Sequence, residues 1–312
     1  MNLAFLNYKG VIIMRKKRIN VYMSQGLGNQ LFIYSYILNL IQINASSILK
    51  VRILFNRKSK SDREFLLEKL IKTDSNQILF SSNRHFGYFT KIFLYKIIKN
   101  EKFLRKLRIF HEKNIFTFDK ELLEVNNNSL VVGYYISNEY VDRIFPTLEN
   151  RIVSWLSTQE IPNGIAEINS EDVVVMHIRR GDTVGKIAKV RGLLTCKYYE
   201  DALEVISHAR KIELRRVIAI TDDIKTSQND LKGIRITDWV GPDEVNAIQA
   251  LKIFSNAKNF IGANSTLSWW GAKLSSTSLQ NIQILPTPWL GFKESVADKS
   301  LFNPNVTYMQ AK

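Results

Sequence analysis

The chain has 312 residues, 45% of them hydrophobic and 23% charged, with only 14 Gly and 6 Pro, so a disordered or fibrous protein is excluded. A single cysteine, Cys196, excludes an intramolecular disulfide and a cysteine-based zinc cluster, and 4 scattered histidines without HExxH spacing leave little for a transition metal. The 44 Lys and Arg against 29 Asp and Glu give a formal charge of +15, which favours phosphates, whether of nucleic acid, anionic lipid or a nucleotide-linked substrate.

At this length a single core has usually stopped growing, so two domains of about 150 residues each are expected. No run reaches the ~20 apolar residues that cross a bilayer. The N-terminus MNLAFLNYKGVIIMRKKR places its basic cluster after its apolar stretch, the reverse of a secretory signal. The expectation is a cytoplasmic protein, whose charge is compatible with peripheral contact at an anionic membrane. Met14 stands just before the first strand, so residues 1–13 read as an extension from an upstream start codon.

Residues 19–23 read as a strand, followed by the turn SQGLGNQ and the apolar, helix-length run LFIYSYILNLIQIN. From about residue 50 to 128 the pattern blurs into basic, aromatic-rich helical segments such as KIFLYKIIKNEKFLRKLRIF. The run KIIKNEKFLRKLR within it reads as a solvated helix face, amphipathic enough to touch anionic lipid. Residues 130–135 (LVVGYY) read as a strand and TLENRIVSWL as a helix, and the polar STQEIPNGIAEINSED is the best linker in the chain. Beyond it strands and helices alternate regularly, which predicts a parallel sheet covered by helices on both faces, with ligands beyond the carboxyl ends of its strands.

Four constellations carry chemistry. His177-Ile178-Arg179-Arg180-Gly181-Asp182 ends the strand VVVM. Alternation sends His177 and Arg179 to one face and Ile178 and Arg180 to the other, so a ligand meets Arg179 directly and Arg180 only after a bend at Gly181. A pyrophosphate would satisfy two buried guanidiniums, as would a salt bridge to Asp182 or another local carboxylate. Gly26-Leu27-Gly28-Asn29-Gln30 joins the first strand to its helix, where backbone amides can approach a ligand; it lacks the GK[ST] of a Walker loop, and a plain tight turn explains it equally. Thr221-Asp222-Asp223 follows the strand VIAI and could accept from ribose or a base edge, bind Mg²⁺, or cap the next helix. The segment around Asn264, Ser265, Thr266 and Ser268 sets hydroxyls and free amides at a strand-to-helix junction suited to a phosphate, although Ser265 or Thr266 also reads as a helix cap. Trp269 and Trp270 read as core rather than as a sugar platform. His85, His111, His208 and Cys196 have no metal or catalytic spacing.

Taken together, GLGNQLF, HIRRGD, a strand ending in TDD, and GANSTLSWWGAKL resemble in order and spacing the bacterial α-1,2-fucosyltransferases of glycosyltransferase family 11. The resemblance spans about residues 19–290. It implies an α/β, two-domain GT-B-like fold: an N-terminal α/β domain (1–160) on the acceptor side and a Rossmann-like C-terminal domain (170–312) that binds GDP-fucose. It also implies inverting transfer of L-fucose to the 2-hydroxyl of a galactoside in a surface glycan such as O-antigen, with no metal or other cofactor. Position by position, Arg179 resembles the arginine that holds the donor pyrophosphate, with Arg180 in support and His177 near the nucleoside. Asp222 or Asp223 would read ribose or guanine, Asn264, Ser265, Thr266 and Ser268 would line the phosphates, and Gly28 with Asn29 would act from the N-terminal domain. Asp182 is the motif acid chosen as base. The chain departs from the family at Thr183, where relatives often carry Tyr, and across residues 50–128, which leaves the acceptor open. The rival readings are a transferase for another nucleotide sugar and a basic protein binding nucleic acid or anionic lipid. Against nucleic acid, the lysines are scattered and no RRM, KH or helix-turn-helix signature appears.

Overall fold

Short apolar strands alternate with helices throughout the described residues, including the stretch where the sequence pattern is blurred. A computed structural model describes residues 17–44, 49–55, 64–72, 77–82, 86–165, 167–181, 193–275, 277–289 and 296–311. The chain divides into two units, Met1–Leu148 and Glu149–Lys312.

In the first unit β1 (Lys17–Tyr22) is the central strand. Beside it on one flank lie β2 (Leu49–Phe55) and then β3 (Ile78–Ser82); on the other lie β5 (Ser129–Val132) and then β4 (Ile109–His111). Every pairing is parallel. Helix α1 (Leu27–Ile43) contains no charged residue and is buried along most of its length. Its polar side chains are paired within the fold: Asn39 Nδ2 donates to the carbonyls of Ser35 (2.8 Å) and Tyr140 (2.7 Å). The basic segment after β1 supplies β2, β3 and β4, along with α2 (Glu68–Lys72), α3 (Phe86–Ile97), α4 (Glu101–Lys106) and a 3₁₀ turn at Lys120–Leu123. Ile92 of α3 and Leu104 of α4 pack with Tyr22, Leu54, Ile109, Leu130 and Val132, which fixes both helices on the sheet. Helix α5 (Asn138–Asp142) completes the unit.

The division falls inside α6 (Phe145–Ser157), ahead of the predicted linker. That linker forms a 3₁₀ turn at Asn163–Ile165 and buries Ile165 and Ile168, so it is docked on the unit that follows. The second unit runs β6 (Val173–Ile178), α7 (Cys196–Arg210), β7 (Arg216–Thr221), α8 (Ile224–Asp230), β8 (Asp238–Val240), α9 (Ala247–Asn256), β9 (Asn259–Ile261), α10 (Thr266–Ser275), β10 (Ile282–Thr287), α11 (Val296–Ser300) and β11 (Thr307–Gln310). Its six strands are parallel in the order β8-β7-β6-β9-β10-β11. Counted within the unit this is 3-2-1-4-5-6, the doubly wound order of a Rossmann-like domain, and the chain reverses direction of winding between β6 and β9. All of β6 is buried, as its apolar run requires of a strand covered on both faces. Trp269 and Trp270 are core residues, in edge-to-face contact at 5.2 Å.

Candidate active site

In sheets of this order a ligand sits beyond the carboxyl ends of the strands at the reversal point. There the chain leaves β6 through Arg179, Arg180 and Gly181, while the neighbouring β7 ends beside it at Thr221. Asp222 turns its carboxylate across this gap, and its Oδ1 accepts from the backbone amides of Arg180 (2.7 Å) and Gly181 (2.9 Å). A Cβ on residue 181 would lie 3.2 Å from both Cγ and the carbonyl oxygen of Asp222, so glycine permits the approach. The other oxygen, Oδ2, lies 3.9 Å from Nε of Arg179, whose side chain keeps 17% of its exposure. Among the described residues, Arg179 is thus the cation that stands at the reversal point, with a carboxylate at its inner edge.

Arg180, expected to support the donor, is turned into the protein. Its side chain is only 4% exposed; Nε donates to Asp230 Oδ2 (2.7 Å), while the terminal nitrogens donate to the carbonyls of Arg179 (3.1 Å) and Leu194 (2.8 Å). Strand parity and the pairing with Asp230 send it to the opposite face from His177, and its bonds tie the end of β6 to Asp230 and to the Leu194 carbonyl. Asp223 is likewise engaged: it caps α8, accepting from the Thr226 amide (3.0 Å) and hydroxyl (2.7 Å), and these bonds hold its carboxyl below the usual range. The adjacent aspartates thus divide the labour, one tying two strand ends together and one capping a helix.

Across the reversal point β9 ends at Ile261, and Gly262 to Ser265 lead into α10. A Cβ at residue 262 would lie 2.4 Å from Leu285 Cδ2, so this passage also needs glycine. Two adjacent tyrosines of α7 fasten the strand ends: Tyr199 donates to the carbonyl of His177 (3.1 Å) and Tyr198 to that of Gly262 (2.8 Å). Ser265 accepts from the Leu267 amide (3.3 Å), capping α10, with Thr266 as first helical residue and Asn264 half-buried before it. Ser268, expected to line a phosphate, is fully buried and serves a different purpose. Its Oγ accepts from the Ala263 amide (3.0 Å) and lies 2.6 Å from Nδ1 of His177. The Ser268 hydroxyl and the imidazole are thus joined by one hydrogen bond, whose direction follows the tautomer of His177. The ring is further held against Phe254 at 4.8 Å.

The second unit thus gathers His177, Arg179, Asp222, Asn264, Ser265, Thr266 and Ser268 at the ends of β6, β7 and β9. Asp182 lies outside the described residues. Gly28 and Asn29 sit in the first turn of α1, in the other unit, and that helix begins without a side-chain cap or an acidic residue in its first turn.

Sequence reasoning passes over Asp230, Tyr198 and Tyr199, which carry no motif, and over a cluster at the carboxyl edge of the first sheet. There Glu112, following β4, accepts from the amides of Tyr134 and Tyr135 (2.9 Å for the latter) just past β5. Burial raises its carboxyl above the ordinary value, and the two amide bonds only partly oppose this. Tyr135 stacks on Tyr36 at 3.9 Å and 6°, with Tyr140 edge-on to both. Burial holds all three phenols well above their usual range, which keeps them protonated.

The profile of the family described as Glycosyl transferase family 11 matches residues 18–310. The chain is similar to the Alpha-1,2-colitosyltransferase of Escherichia coli, 33% identical over 147 residues, covering 45% of this chain and 47% of that protein. It is also similar to the O-antigen biosynthesis glycosyltransferase WbnK of Escherichia coli, 34% identical over 118 residues, covering 36% of this chain and 38% of that one. The matched region therefore spans about half the length of the first relative and less of the second. Among solved structures, E. coli heptosyltransferase WaaC with ADP gives a TM-score of 0.46 at 9% identity, over 95% of this chain and 93% of that chain. NodZ α-1,6-fucosyltransferase soaked with GDP-fucose gives 0.42 at 11% identity, over 83% and 93%.

Proposed function

Because the chain belongs to glycosyl transferase family 11, we propose that it is an inverting galactoside 2-α-L-fucosyltransferase that moves L-fucose from GDP-β-L-fucose to a surface glycan such as O-antigen. The observation that carries the donor half of this reading is the placement of Arg179 at the carboxyl end of β6, beside the start of α10, where the winding of the sheet reverses. A planar guanidinium fork at that point matches the oxygens of a diphosphate. In the reaction the galactoside 2-oxygen forms a bond to the anomeric carbon while the bond from that carbon to the phosphate oxygen breaks. The hydroxyl proton passes to a base, for which Asp182 is the motif acid to test, and GDP leaves with both bonding electrons. Negative charge grows on the diphosphate as the bond breaks, so fixed positive charge beside it lowers the barrier. In this reading the Ser268 hydroxyl donates to Nδ1 of His177, so the imidazole carries its proton on Nε2 and adds a donor rather than a base at this strand end.

The first unit takes the acceptor in this reading, a galactose-containing oligosaccharide or glycolipid. With a glycolipid, peripheral contact with an anionic membrane would bring the cytoplasmic enzyme to its substrate. No described helix is long and apolar enough to cross a membrane. Catalysis is expected to need no metal, because Asp222 is committed to backbone amides beside Arg179 and Asp223 to its helix cap.

The test is a thermal-shift screen over GDP, UDP, ADP, CMP-sialate and a DNA oligomer, followed by product analysis with GDP-fucose on a panel of β-galactosides in EDTA. Selective stabilisation by GDP and an α-1,2-fucosylated product in EDTA are expected. Equal shifts with every polyanion would refute the donor reading, and transfer restored only by Mn²⁺ would refute the metal-free one. The colitosyltransferase relative makes colitose the competing sugar in that assay.

A further inference from the structure

The outward surface of the basic segment in the first unit has the wrong polarity for a face turned to water. Helix α3 rests on the sheet through Ile92 and Tyr95, and α4 through Leu104 and Leu107. At 100° per residue, Phe93 and Ile97 point away from Ile92 and Tyr95, on the outer side of α3. Phe93 is 61% exposed, Ile97 59%, and Phe103 on α4 50%. A helix with apolar residues both inward and outward has two surfaces to bury, and the sheet covers only one.

The charges around this outer stripe are predominantly positive. Across residues 86–108 the sequence carries Lys91, Lys96, Lys99, Lys102, Arg105, Lys106 and Arg108 against one acid, Glu101. That acid is paired with Arg105 at 3.1 Å, and Arg105 also meets Glu121 at 3.3 Å, so both carboxylates fall on the arginine and the lysines remain as excess positive charge.

We propose that the outer face of α3 and α4 docks on an anionic phospholipid bilayer, with Phe93, Ile97 and Phe103 entering the headgroup boundary and Lys96, Lys99 and Lys102 meeting lipid phosphates. Apolar side chains amid cations are the two components of interfacial binding. A second copy of the chain would bring the same cations face to face, which is repulsive. A nucleic acid would meet the lysines and leave Phe93 and Ile97 in water. The surface gives the peripheral contact of the proposed function a location, and it rests on that reading only for its purpose.

The experiment is co-sedimentation of the full chain with phosphatidylcholine vesicles, with and without phosphatidylglycerol, at low and high salt. Binding should need the anionic lipid and weaken with salt. Lys96→Glu/Lys99→Glu/Lys102→Glu should lower vesicle affinity about 100-fold, at about five-fold for each cation removed. Phe93→Ser/Ile97→Ser should lower it about ten-fold or more through lost apolar insertion. Since all five positions are exposed or on the outer face, far-UV circular dichroism should be unchanged, and Phe93→Trp should show a blue-shifted emission on anionic vesicles alone. Equal binding to neutral vesicles, no binding, or variants that bind as wild type would overturn the proposal. So would a dimer that Phe93→Ser/Ile97→Ser dissolves, or binding to a DNA oligomer in place of vesicles. The measurement needs neither donor nor acceptor. Lost vesicle binding with intact transfer overturns the surface alone; intact vesicle binding without transfer overturns the proposed function alone.

Discussion

The carboxyl edges of the two sheets are built to one plan and furnished with opposite chemistry. Both are edges of parallel sheets whose central strand opens its unit, β1 in one and β6 in the other. Beyond β6 the chain places Arg179 with a carboxylate set behind the cation, and beyond the neighbouring β9 it places a helix start. Beyond β4 and β5 it places a half-buried carboxyl, Glu112, near the buried, protonated phenols of Tyr36, Tyr135 and Tyr140. The first arrangement favours an anion, whereas the second is a packed cluster whose three tyrosine rings are fully buried against one another. Topology decides where a ligand can sit; the two or three residues just past each strand decide its charge.

That contrast depends on Arg179 being the cation that faces the ligand and Arg180 the one that holds the loop. Arg180→Met leaves Asp230 without its partner and removes a donor from the Leu194 carbonyl. Breaking a buried pair costs about 3 to 5 kcal/mol, and because Asp230 can be rehydrated the low end, about 3 kcal/mol, is expected. Calorimetry should show a lowered melting transition. A variant that melts as wild type but loses GDP binding would return Arg180 to the ligand.

Arg179→Lys should do the reverse, melting near wild type while losing turnover. A lysine keeps the charge and loses the fork, and one charge-assisted bond at about 1.5 to 3 kcal/mol corresponds to a fall of about 10- to 150-fold. Since diphosphate charge accumulates in the transition state, the loss should appear in kcat as well as KM. Near wild-type turnover in steady-state kinetics with GDP-fucose would make the Arg179–Asp222 contact structural and leave the second edge without its ligand cation.

The two edges also differ in how far the sequence discloses them. HIRRGD is contiguous, and its strand is apolar without interruption, so both the end of β6 and the opposite facing of its two arginines are legible. The partner that commits Arg180, Asp230, stands 50 residues away at the end of α8 and belongs to no motif. Ser268 is visible as a hydroxyl near a helix start, but its burial behind His177 is a tertiary fact. In the first unit α1 is legible because it is free of charge over 17 residues. By contrast β2 carries Lys50 and Arg52 within its alternation, β4 has only 3 residues, and α3 is apolar on both sides, so no single period stands out. Glu112 is a lone acid in the sequence; only the turn past β5 gives it its amides.

A smaller effect sharpens the donor edge. Ser268→Ala removes the hydroxyl bonded to Nδ1 of His177, and with Ser268 as donor in the proposed reading the imidazole then redistributes its hydrogen between the two nitrogens. At about 0.5 to 1.5 kcal/mol for one such bond, kcat/KM should fall about 2- to 12-fold. Nitrogen NMR of histidine-labelled protein should show Nδ1 as acceptor in the wild type and a mixed tautomer in the variant. His177 protonated on Nδ1 in the wild type would overturn the assignment.

The smallest effect lies at the other edge and concerns the sign of a pH dependence. Burial raises the Glu112 carboxyl above its ordinary 4.5, so the folded chain holds that proton more tightly than the unfolded one. A group of this kind contributes fully to stability below about pH 4.5, and the contribution erodes as pH rises through the folded value, because the unfolded chain has by then released its proton. Glu112→Gln keeps the shape and removes the titration, at the expense of one of the two amide contacts. The variant should therefore melt below wild type at low pH, with the gap narrowing as pH rises toward neutrality. Melting temperatures of both proteins across that range decide it. A gap that widens with pH would mean that the amides of Tyr134 and Tyr135 outweigh burial and stabilise the ionised carboxylate. The first edge would then hold a stabilised negative charge, and the contrast with the Arg179 edge would become one of opposite charges.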